Sequence, residues 1–438
     1  MAKQKGFQRP LGMHDILPKD QHLWTHFRKV AEDIASFYGF GRIDTPILEF
    51  SELFEKGTGT DTDIVQKEMF SLKTRGGDRL TLRPEGTPPA VRAYIQHGME
   101  KLPSPVKLYY VGPMFRHEKP QRGRFRQLHQ FGLEIIGEDE PARDVQTIQT
   151  FFIILEKLKI KNVCLEINTI GCNSCRPKYK RALKDYYRHR IKNVCADCRN
   201  RYRSNVLRML DCDDEKCQRV KITAPQILDH LCNSCREHFK KVLELLDYLE
   251  IPYMLNPYLV RGLDYYTRTV FEIFEGEVSE GSYDTETGKK KLALASGGRF
   301  DNLVKILGGQ DTPAVGGAMG IERVLAIVKQ QGKEISAPHA PQVFLVQLGD
   351  LAKKKALVLF EDFRRAGIPL RESFGRDSIS SQLKVANKLG IDLTIIIGQK
   401  EVLDKVAIIR EMNTGVQETV LEERLINEIK KRLKKKAR

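Results

Sequence analysis

Apolar residues recur along this chain either at every second position, as in a strand, or at every third or fourth position, as in a helix. The change from one spacing to the other indicates where strands and helices lie. Strand and turn patterns dominate to about residue 136 and return between residues 251 and 329. Helical spacing near the start predicts a long amphipathic helix, which is carried by Trp24, Phe27, Val30, Ala31, Ile34 and Phe37. Further helices are predicted over residues 85–96, 144–158 and 168–250, and after Gly320.

A different pattern begins beyond residue 341. Short β-rich runs alternate there with helical patterns, which predicts a small α/β domain with a mostly parallel core. These runs cover residues 343–346, 393–397 and 406–410. A chain of 438 residues is also long for a single domain. We therefore expect one domain over residues 1–330 with an insertion at about 170–250, a linker over 331–341, and a second domain over 342–438.

The most informative segment is a polar loop between two apolar runs, residues 106–116 and 126–136. The loop is basic and contains Gly123, so the pattern predicts an antiparallel hairpin with a long tip. Alternation along the second strand places three polar residues on one face: Arg126, Gln130 and Glu134. Such a surface suits an anionic group beside a small polar molecule. An exposed basic hairpin is the plainer interpretation, but it does not explain polar residues inside an apolar strand.

Eight of the nine cysteines lie in the helical segment as four close pairs. These are Cys172 with Cys175, Cys195 with Cys198, Cys212 with Cys217, and Cys232 with Cys235. In a cytosolic protein such spacing indicates Zn²⁺ rather than disulfides, so two structural Cys₄ sites are possible. The spacing does not say which pairs combine, and reduced unligated thiols remain the alternative. Cys164 lies in a strand-like run and is expected to be a packed thiol.

The composition indicates which kind of binding partner and which cellular compartment to expect. The 73 basic and 57 acidic residues give a net charge of +16, which favours a polyanionic partner. Part of this excess lies in the tail at residues 430–438, which could equally be a solvated helix end. No apolar run approaches the length of about 18 residues that a membrane span needs. The polar start of the chain does not fit a signal peptide, so we expect a cytoplasmic protein without a membrane segment.

Several motifs resemble those of a known family. Residues 115–118 and 124–126, with Gln130, resemble motif 2 of the class II aminoacyl-tRNA synthetases. Residues 259–266 and 295–301 are similar to the two signature peptides that distinguish the histidyl-tRNA synthetase family from other class II enzymes. The resemblance is to the bacterial type of that family. Residues 316–323 resemble motif 3, and residues 43–49 resemble motif 1, whose proline (here Pro46) lies at the dimer interface in that family.

The resemblance covers nearly the whole chain and implies both a fold and a reaction. The implied fold is α+β: a class II antiparallel sheet flanked by helices, a helical cysteine-rich insertion, and a C-terminal α/β anticodon-binding domain. The implied activity is ATP- and Mg²⁺-dependent histidine–tRNA ligation by a homodimer. L-Histidine would be converted to histidyl-adenylate, and the histidyl group would then be transferred to the 3′ end of tRNA-His.

The resemblance also assigns the residues that would handle ATP. Arg116 and Arg261 would contact the α-phosphate and Arg323 the distal phosphates, because a guanidinium binds phosphate bidentately and stays charged. Glu118 would meet the adenine amino group, and Phe125 would stack on the ring. The glycines that would let the backbone approach the nucleotide are Gly316, Gly317 and Gly320.

Histidine recognition is assigned in the same way. The residues implied around the α-amino group are Glu85, Gly86, Thr87 and Gln130. Glu134 and Tyr266 are placed at the imidazole, and Arg116, Arg261 and Tyr265 complete the set. We expect one of the two adjacent tyrosines to pack in the core instead, because neighbours on a strand face opposite ways.

Two other functions fit the same resemblance. One is a histidine-sensing regulatory subunit of ATP phosphoribosyltransferase, and the other is a tRNA-binding sensor without catalysis. Regulatory paralogues of the first kind lack the C-terminal domain and lose the catalytic arginines. This chain keeps about a hundred residues after Pro341 as well as Arg116, Arg261 and Arg323, so the ligase is the favoured interpretation.

Overall fold

A computed structural model describes residues 6–119, 123–276, 291–332 and 342–436. The chain divides into two compact units, Met1–Glu334 and Ile335–Arg438. Most of the predicted linker, from residue 333 to 341, lies outside the described residues. In the part of the chain that is described, no helix combines the length and the apolar character that a membrane crossing requires.

The first unit combines strands with helices, as the patterning predicted, and its described strands form two sheets. Its described helices are α1 (Gln21–Phe37), α2 (Ser51–Gly57), α3 (Thr87–Gln96), α4 (Pro141–Lys157), α5 (Arg176–Arg188), α6 (Ala196–Ser204), α7 (Glu215–Lys221), α8 (Asn233–Tyr248), α9 (Leu303–Ile306) and α10 (Ile321–Gln330). Its described strands are β1 (Gly41–Arg42), β2 (Leu48–Phe50), β3 (Phe70–Lys73), β4 (Arg79–Leu82), β5 (Val106–Phe115), β6 (Gln127–Ile136), β7 (Val163–Thr169), β8 (Tyr253–Leu255), β9 (Thr267–Glu275), β10 (Ala295–Arg299) and β11 (Ala314–Gly320).

The larger sheet has eight strands in the order β1-β5-β6-β11-β10-β9-β7-β8. Its central pairings are antiparallel, and only the edge pairings β1–β5 and β7–β8 are parallel. The predicted hairpin is confirmed: β5 and β6 pair from Val106 opposite Ile136 to Phe115 opposite Gln127. The smaller sheet, β2-β4-β3, is antiparallel throughout.

Alternation along β6 separates the core from the site. Phe131, Leu133 and Ile135 are fully buried on one face, and the ring of Phe131 meets those of Phe27 in α1 and Phe151 in α4. Successive strand residues point to opposite faces, so Gln130 and Glu134 project from the other side. Helices α1 and α4 therefore cover the apolar face and leave the polar face free to line a pocket.

The cysteine-rich segment lies between β7 and β8 and contains α5 to α8. Its interior is apolar and aromatic, with Tyr179, Leu183 and Tyr187 of α5 buried in the same cluster as the described cysteines Cys198 and Cys235. The region expected as a helical insertion at about 170–250 is thus helical, and its buried residues share one hydrophobic cluster with residues of the body such as Val91 and Leu303.

The second unit is a five-stranded sheet with helices. Its described elements are β12 (Val343–Gln347), α11 (Asp350–Arg365), β13 (Leu370–Glu372), α12 (Ile379–Lys388), β14 (Leu393–Ile397), α13 (Gln399–Leu403), β15 (Val406–Glu411), β16 (Gln417–Leu421) and α14 (Glu422–Lys436). The order is β13-β12-β14-β15-β16, with β12 parallel to both its neighbours and β15 antiparallel to both of its own. The expected mostly parallel core is therefore only half right. Short connections from β14 to β15 and β16 leave no room for the crossover that parallel pairing needs.

Candidate active site

Two buried carboxylates of the first unit, Glu134 and Glu85, influence each other electrostatically, and the polar region around them is called the pocket below. Glu134 lies on β6 between Leu108 of β5 and Gly316 of β11. Its Oε1 accepts hydrogen bonds from Thr87 Oγ1 at 2.7 Å and Tyr110 Oη at 3.4 Å. Its Oε2 is buried without a partner among the described residues. A buried acceptor without a donor is unfavourable, so this oxygen is available to a ligand.

Glu85 lies just before α3 and is the second carboxylate. Its two oxygens accept hydrogen bonds of 2.6 Å, one from Thr58 Oγ1 and one from Tyr265 Oη. Burial raises the pKa of Glu85 and, more strongly, that of Glu134, while their hydroxyl donors act in the opposite direction. A cationic ligand group entering this pocket would compensate the buried negative charge.

Glycines make room for the groups in this pocket. A Cβ at Gly86 or at Gly132 would overlap the ring of Tyr110, and one at Gly316 would overlap the carboxylate of Glu134. Gly86 was predicted as a ligand contact, and it is also a position where a side chain would clash with Tyr110. The backbone can approach closely only where no side chain intervenes.

Tyr265 and Tyr266 are both buried in the same hydrophobic cluster, so their expected division between site and core stays a prediction. The expectation assumed a strand, but β9 begins at Thr267 and the tyrosines lie in the preceding turn. Their rings contact each other with centroids 4.7 Å apart. Tyr265 donates to Glu85, and the Tyr266 ring lies 5.8 Å from the Arg261 guanidinium carbon.

Arginines surround the pocket from three separate segments. Arg116 Nε donates to Pro84 O at 2.9 Å. Arg261 pairs with Glu272 and donates from Nη2 to Ser296 Oγ at 2.8 Å, so both histidine-specific peptides contribute to its orientation. Its Nε is buried without a partner among the described residues.

Arg323 lies in the first turn of α10. Its guanidinium donates to the backbone oxygens of Gly123 at 3.1 Å and Ala293 at 2.8 Å. Burial, together with the charge of Arg116, lowers the pKa of Arg323 to about 10. The guanidinium stays protonated near neutral pH, but its buried positive charge has little compensating negative charge nearby. An anion such as a phosphate would supply that charge.

The other residues predicted for ATP lie in the loop between β5 and β6. Glu118 carries an ion pair with Arg124 at 3.6 Å, and its backbone oxygen accepts from Arg126 Nε at 3.3 Å. The Phe125 ring meets His14 edge-on, with centroids 4.9 Å apart. Gly320 ends β11 and directly precedes α10, three residues before Arg323. The loop tip, residues 120–122, lies outside the described part of the chain.

Two pocket residues escaped the sequence analysis. Tyr110 lies opposite Gly132 in the hairpin register, and Thr58 follows α2, far from any recognised motif. The pairing of a bulky tyrosine with a glycine was a usable signal for Tyr110, once the register was known. No local pattern could have revealed Thr58, because its partner Glu85 is 27 residues away.

The eight paired cysteines gather into two groups. The outer cluster contains Cys172, Cys175, Cys232 and Cys235, and the inner cluster contains Cys195, Cys198, Cys212 and Cys217. Within each group the sulfur atoms all lie within 4.8 Å of one another. A hydrogen bond from Cys198 is the main influence that lowers the pKa of Cys212 to about 5. Four convergent sulfurs are the donor set of a structural zinc site.

Comparison with known proteins decides the family. The sequence profile described as histidyl-tRNA synthetase matches residues 12–324. The chain belongs to the histidyl-tRNA synthetase family. A second profile, described as an anticodon binding domain, matches residues 342–432. The resemblance carried by the motifs is thereby confirmed, as is the class of fold.

Full-length relatives support this assignment. The histidine–tRNA ligase of Dehalococcoides mccartyi is 44% identical over 427 residues, which cover 98% of this chain and 100% of that protein. The apo histidyl-tRNA synthetase of S. aureus has a TM-score of 0.77 and 33% identity, covering 97% of this chain and 99% of that one. A Bacillus halodurans chain titled ATP phosphoribosyltransferase regulatory subunit/histidyl-tRNA synthetase has a TM-score of 0.62 but 19% identity, covering 90% and 99%; it shares the fold alone.

Proposed function

We infer that the chain is an ATP-dependent histidine–tRNA ligase and propose that the pocket around Glu85 and Glu134 is its active site. The observation that carries the assignment of the site is the meeting of two buried carboxylates with Arg116, Arg261 and Arg323. Carboxylates suit the ammonium and imidazole of histidine, and guanidinium groups suit phosphates. The decisive experiment is ATP–pyrophosphate exchange with histidine and no tRNA, followed by charging of tRNA-His.

The arginines are proposed to act in the first step. The carboxylate of histidine attacks the α-phosphorus of ATP, an acyl–phosphate bond forms, and the bond to pyrophosphate breaks. Negative charge grows on the phosphate oxygens during this step, so fixed cations lower the barrier. We assign Arg116 and Arg261 to the α-phosphate and Arg323 to the distal phosphates. Mg²⁺ bound to the phosphates of ATP would share in neutralising their charge.

The second step moves the histidyl group to tRNA. A hydroxyl of the terminal ribose attacks the histidyl carbonyl, the new ester forms, and AMP leaves. The same cations stabilise the departing phosphate. In the loop from β5 to β6 we assign Glu118 to the adenine amino group and Phe125 to its ring, with Gly320 near the nucleotide. These placements rest on the family resemblance and on the proximity of the loop to Arg323.

The carboxylates are proposed to recognise the amino acid. We assign Glu85, Thr87 and Gln130 to the ammonium group, and Glu134 with Tyr266 to the imidazole. The unpartnered Oε2 of Glu134 and Oε1 of Gln130 provide the acceptors. A pocket with unpaired buried acceptors rejects isosteres that lack donors, since the acceptors then stay unsatisfied.

Glu134→Gln should weaken histidine binding more than ATP binding. The neutral amide keeps the volume but loses the charged acceptor, so the KM for histidine in pyrophosphate exchange should rise about tenfold or more. The KM for ATP should stay within about twofold. Steady-state kinetics with each substrate varied in turn measures both constants.

Glu138→Gln is the matched control for this substitution. Glu138 follows the same strand but forms an ion pair with Arg143 at 2.5 Å, away from the pocket contacts described above. This control should leave both constants near those of the unmodified protein. A Glu134→Gln protein with a raised KM for ATP and an unchanged KM for histidine would remove Glu134 from the histidine pocket.

The two cysteine clusters are proposed to hold one structural Zn²⁺ each. The sulfurs of each cluster come from two chain segments, so a bound ion would fasten these segments together. Several thiols already accept backbone N–H groups, for example Cys175 from Cys232 N at 3.1 Å and Cys217 from Cys195 N at 3.2 Å. These hydrogen bonds favour the thiolate form that binds zinc, and they oppose the burial that raises the pKa of both thiols. The proposed role is to stabilise the insertion, with no part in either chemical step.

Metal analysis should find about two Zn²⁺ per chain in protein purified without added zinc or chelator. Cys198→Ser, which removes one ligand of the inner cluster, should lower this to about one. Cys164→Ala should leave it unchanged, because Cys164 lies in β7 outside both clusters. Less than ~0.3 Zn²⁺ per chain, with all eight thiols titrating freely in the native protein, would refute the sites.

The two units are proposed to divide the work. Residues 1–330 would form the catalytic domain and carry the insertion, and residues 342–438 would bind the anticodon of tRNA-His. We also propose a homodimer formed through the region of Pro46. Apolar side chains beside that proline are exposed, Ile47 by 44%, Leu48 by 41% and Phe50 by 61%, which fits a surface covered by a second copy.

A further inference from the structure

The insertion contacts chain segments beside the amino-acid pocket through residues 205–208, called the contact segment, and also through Arg201, whose Nη2 donates to Asp63 Oδ2 at 3.3 Å. Asn205 Nδ2 donates to Asp264 Oδ1 at 2.9 Å. Arg208 donates from Nη1 to Asp61 O at 2.9 Å and also pairs with the carboxylate of Asp63. Asn205 is 9% exposed and Arg208 8% exposed. Neither residue belongs to a recognised motif.

Both contacts reach residues that lead directly to Glu85. Asp264 immediately precedes Tyr265, and its backbone N–H donates to Thr58 O at 3.1 Å. Tyr265 and Thr58 are the two donors to the Glu85 carboxylate. Asp61 and Asp63 lie in the same loop as Thr58. Asn205 is therefore separated from Glu85 only by the Asp264–Tyr265 turn, and Arg208 only by the loop that begins at Thr58.

The loop of residues 58–63 lies close against the Asp264–Tyr265 turn. Gly59 has a φ of +102°, and a Cβ there would come within 2.7 Å of Asp264 Oδ2. The loop closes on itself through Thr62, whose hydroxyl donates to Gly59 O at 2.8 Å. A shift of Asp264 would therefore displace the loop with it, and both donors to Glu85 would move. Thr58 is fully buried and accepts a hydrogen bond from the Asp264 backbone N–H, so a movement of that backbone would act directly on Thr58.

The inner cluster encloses the contact segment in sequence. Cys195 and Cys198 lie at the start of α6, before Asn205, and Cys212 and Cys217 follow Arg208. The Sγ atoms of Cys195 and Cys212 lie 3.7 Å apart, so the chain before the contact segment comes close to the chain after it. This closure limits the conformations open to the contact segment.

We propose that Asn205 and Arg208 are positioning residues for the histidine pocket. They hold Asp264 and the loop of residues 58–63 in place, and thereby aim Tyr265 and Thr58 at Glu85. This inference rests on the proposed function, because it assigns the consequence to histidine binding. The plainer role for the same contacts is to attach the insertion to the body, without any selective effect on the amino acid.

Asn205→Asp is the sharpest test, because it keeps the shape and places a second carboxylate against Asp264. In full-length protein without tRNA, the KM for histidine in pyrophosphate exchange should rise about tenfold or more, since a bond to a charged group becomes a repulsion. The KM for ATP should stay within about twofold. Arg208→Ala should act in the same direction. Arg203→Ala, at an exposed position of the same insertion helix, is the control and should change neither constant.

The double variant Asn205→Asp with Asp264→Asn restores the donor–acceptor pair in reverse. It should recover most of the lost histidine affinity, which a general weakening of the insertion would not explain. The inference is overturned if Asn205→Asp leaves the KM for histidine unchanged, or if both KM values rise together and the reversed pair does not recover them. Absence of histidine-dependent exchange in the unmodified protein would instead overturn the proposed function itself, and this inference with it.

Discussion

Replacing Arg261 with alanine should lower the rate of histidine-dependent ATP–pyrophosphate exchange by a factor of about 10²–10³. Arg261 is proposed to meet the α-phosphate, where negative charge develops as pyrophosphate leaves. A fixed cation at such a position is worth about 3–4 kcal/mol. Its orientation is already set by Glu272 and Ser296, so little reorganisation is needed when the substrate binds. The measurement is the initial exchange rate at saturating histidine and ATP.

The same substitution also leaves Glu272 without its cation, and the controls must separate the two effects. Glu272 is only 8% exposed, and an uncompensated buried carboxylate destabilises the fold. Arg116→Ala should lose comparable activity, yet its described hydrogen bond is to the backbone of Pro84, so it exposes no carboxylate partner of this kind. Arg188→Ala, an exposed position of the insertion, should keep full activity. Exchange by Arg261→Ala within threefold of the unmodified protein would remove Arg261 from the reaction.

Ending the chain at Pro341 should abolish most charging of tRNA-His while sparing adenylate formation. The deleted unit has hydrophobic clusters of its own, and the pocket described above lies entirely in the first unit. Anticodon bases are typically recognised by stacking and edge contacts, supported by basic residues near the phosphates. We expect kcat/KM for charging to fall by about 10² or more, since several such contacts of about 1–3 kcal/mol each are lost. Pyrophosphate exchange should stay within about threefold.

Two further measurements make this truncation informative. Sedimentation should show that the shortened chain is still a dimer, because the proposed interface around Pro46 lies in the first unit. Full-length protein carrying Lys434→Gln, Lys435→Gln and Lys436→Gln tests the basic tail by itself, and should lose much less activity than the truncation. If the truncated dimer charged tRNA-His with unchanged kcat/KM, the second unit would serve another purpose.

The hydrophobic pattern was sufficient for most elements but not for all pairings. The long first helix, the β5–β6 hairpin and the helical insertion follow from local periodicity, which is a property of neighbouring residues. Strand direction in the second unit was predicted less well. The sheet there is mixed because β15 and β16 pair in antiparallel fashion through short connections. In the sequence these connections look like ordinary loops, so they do not reveal the strand direction.

The pocket shows the same division. The family resemblance predicted Glu85, Glu134 and the three arginines as site residues, and their roles in the reaction remain a proposal. Tyr265 and Tyr266 were expected on a strand, whereas β9 begins only at Thr267. Tyr110 became visible only through its register opposite Gly132.

By itself, the sequence determined the family, the order of the elements and the presence of eight paired cysteines. Only the tertiary structure decided which cysteine pairs combine: the first pair with the fourth and the second with the third. It also decided that Asn205 reaches Asp264, 59 residues away. The local sequence determines helices, strands and motifs, because these depend on neighbouring residues. Contacts between distant segments depend on the tertiary structure, in which the pairing of β7 with β8 brings the two ends of the insertion together.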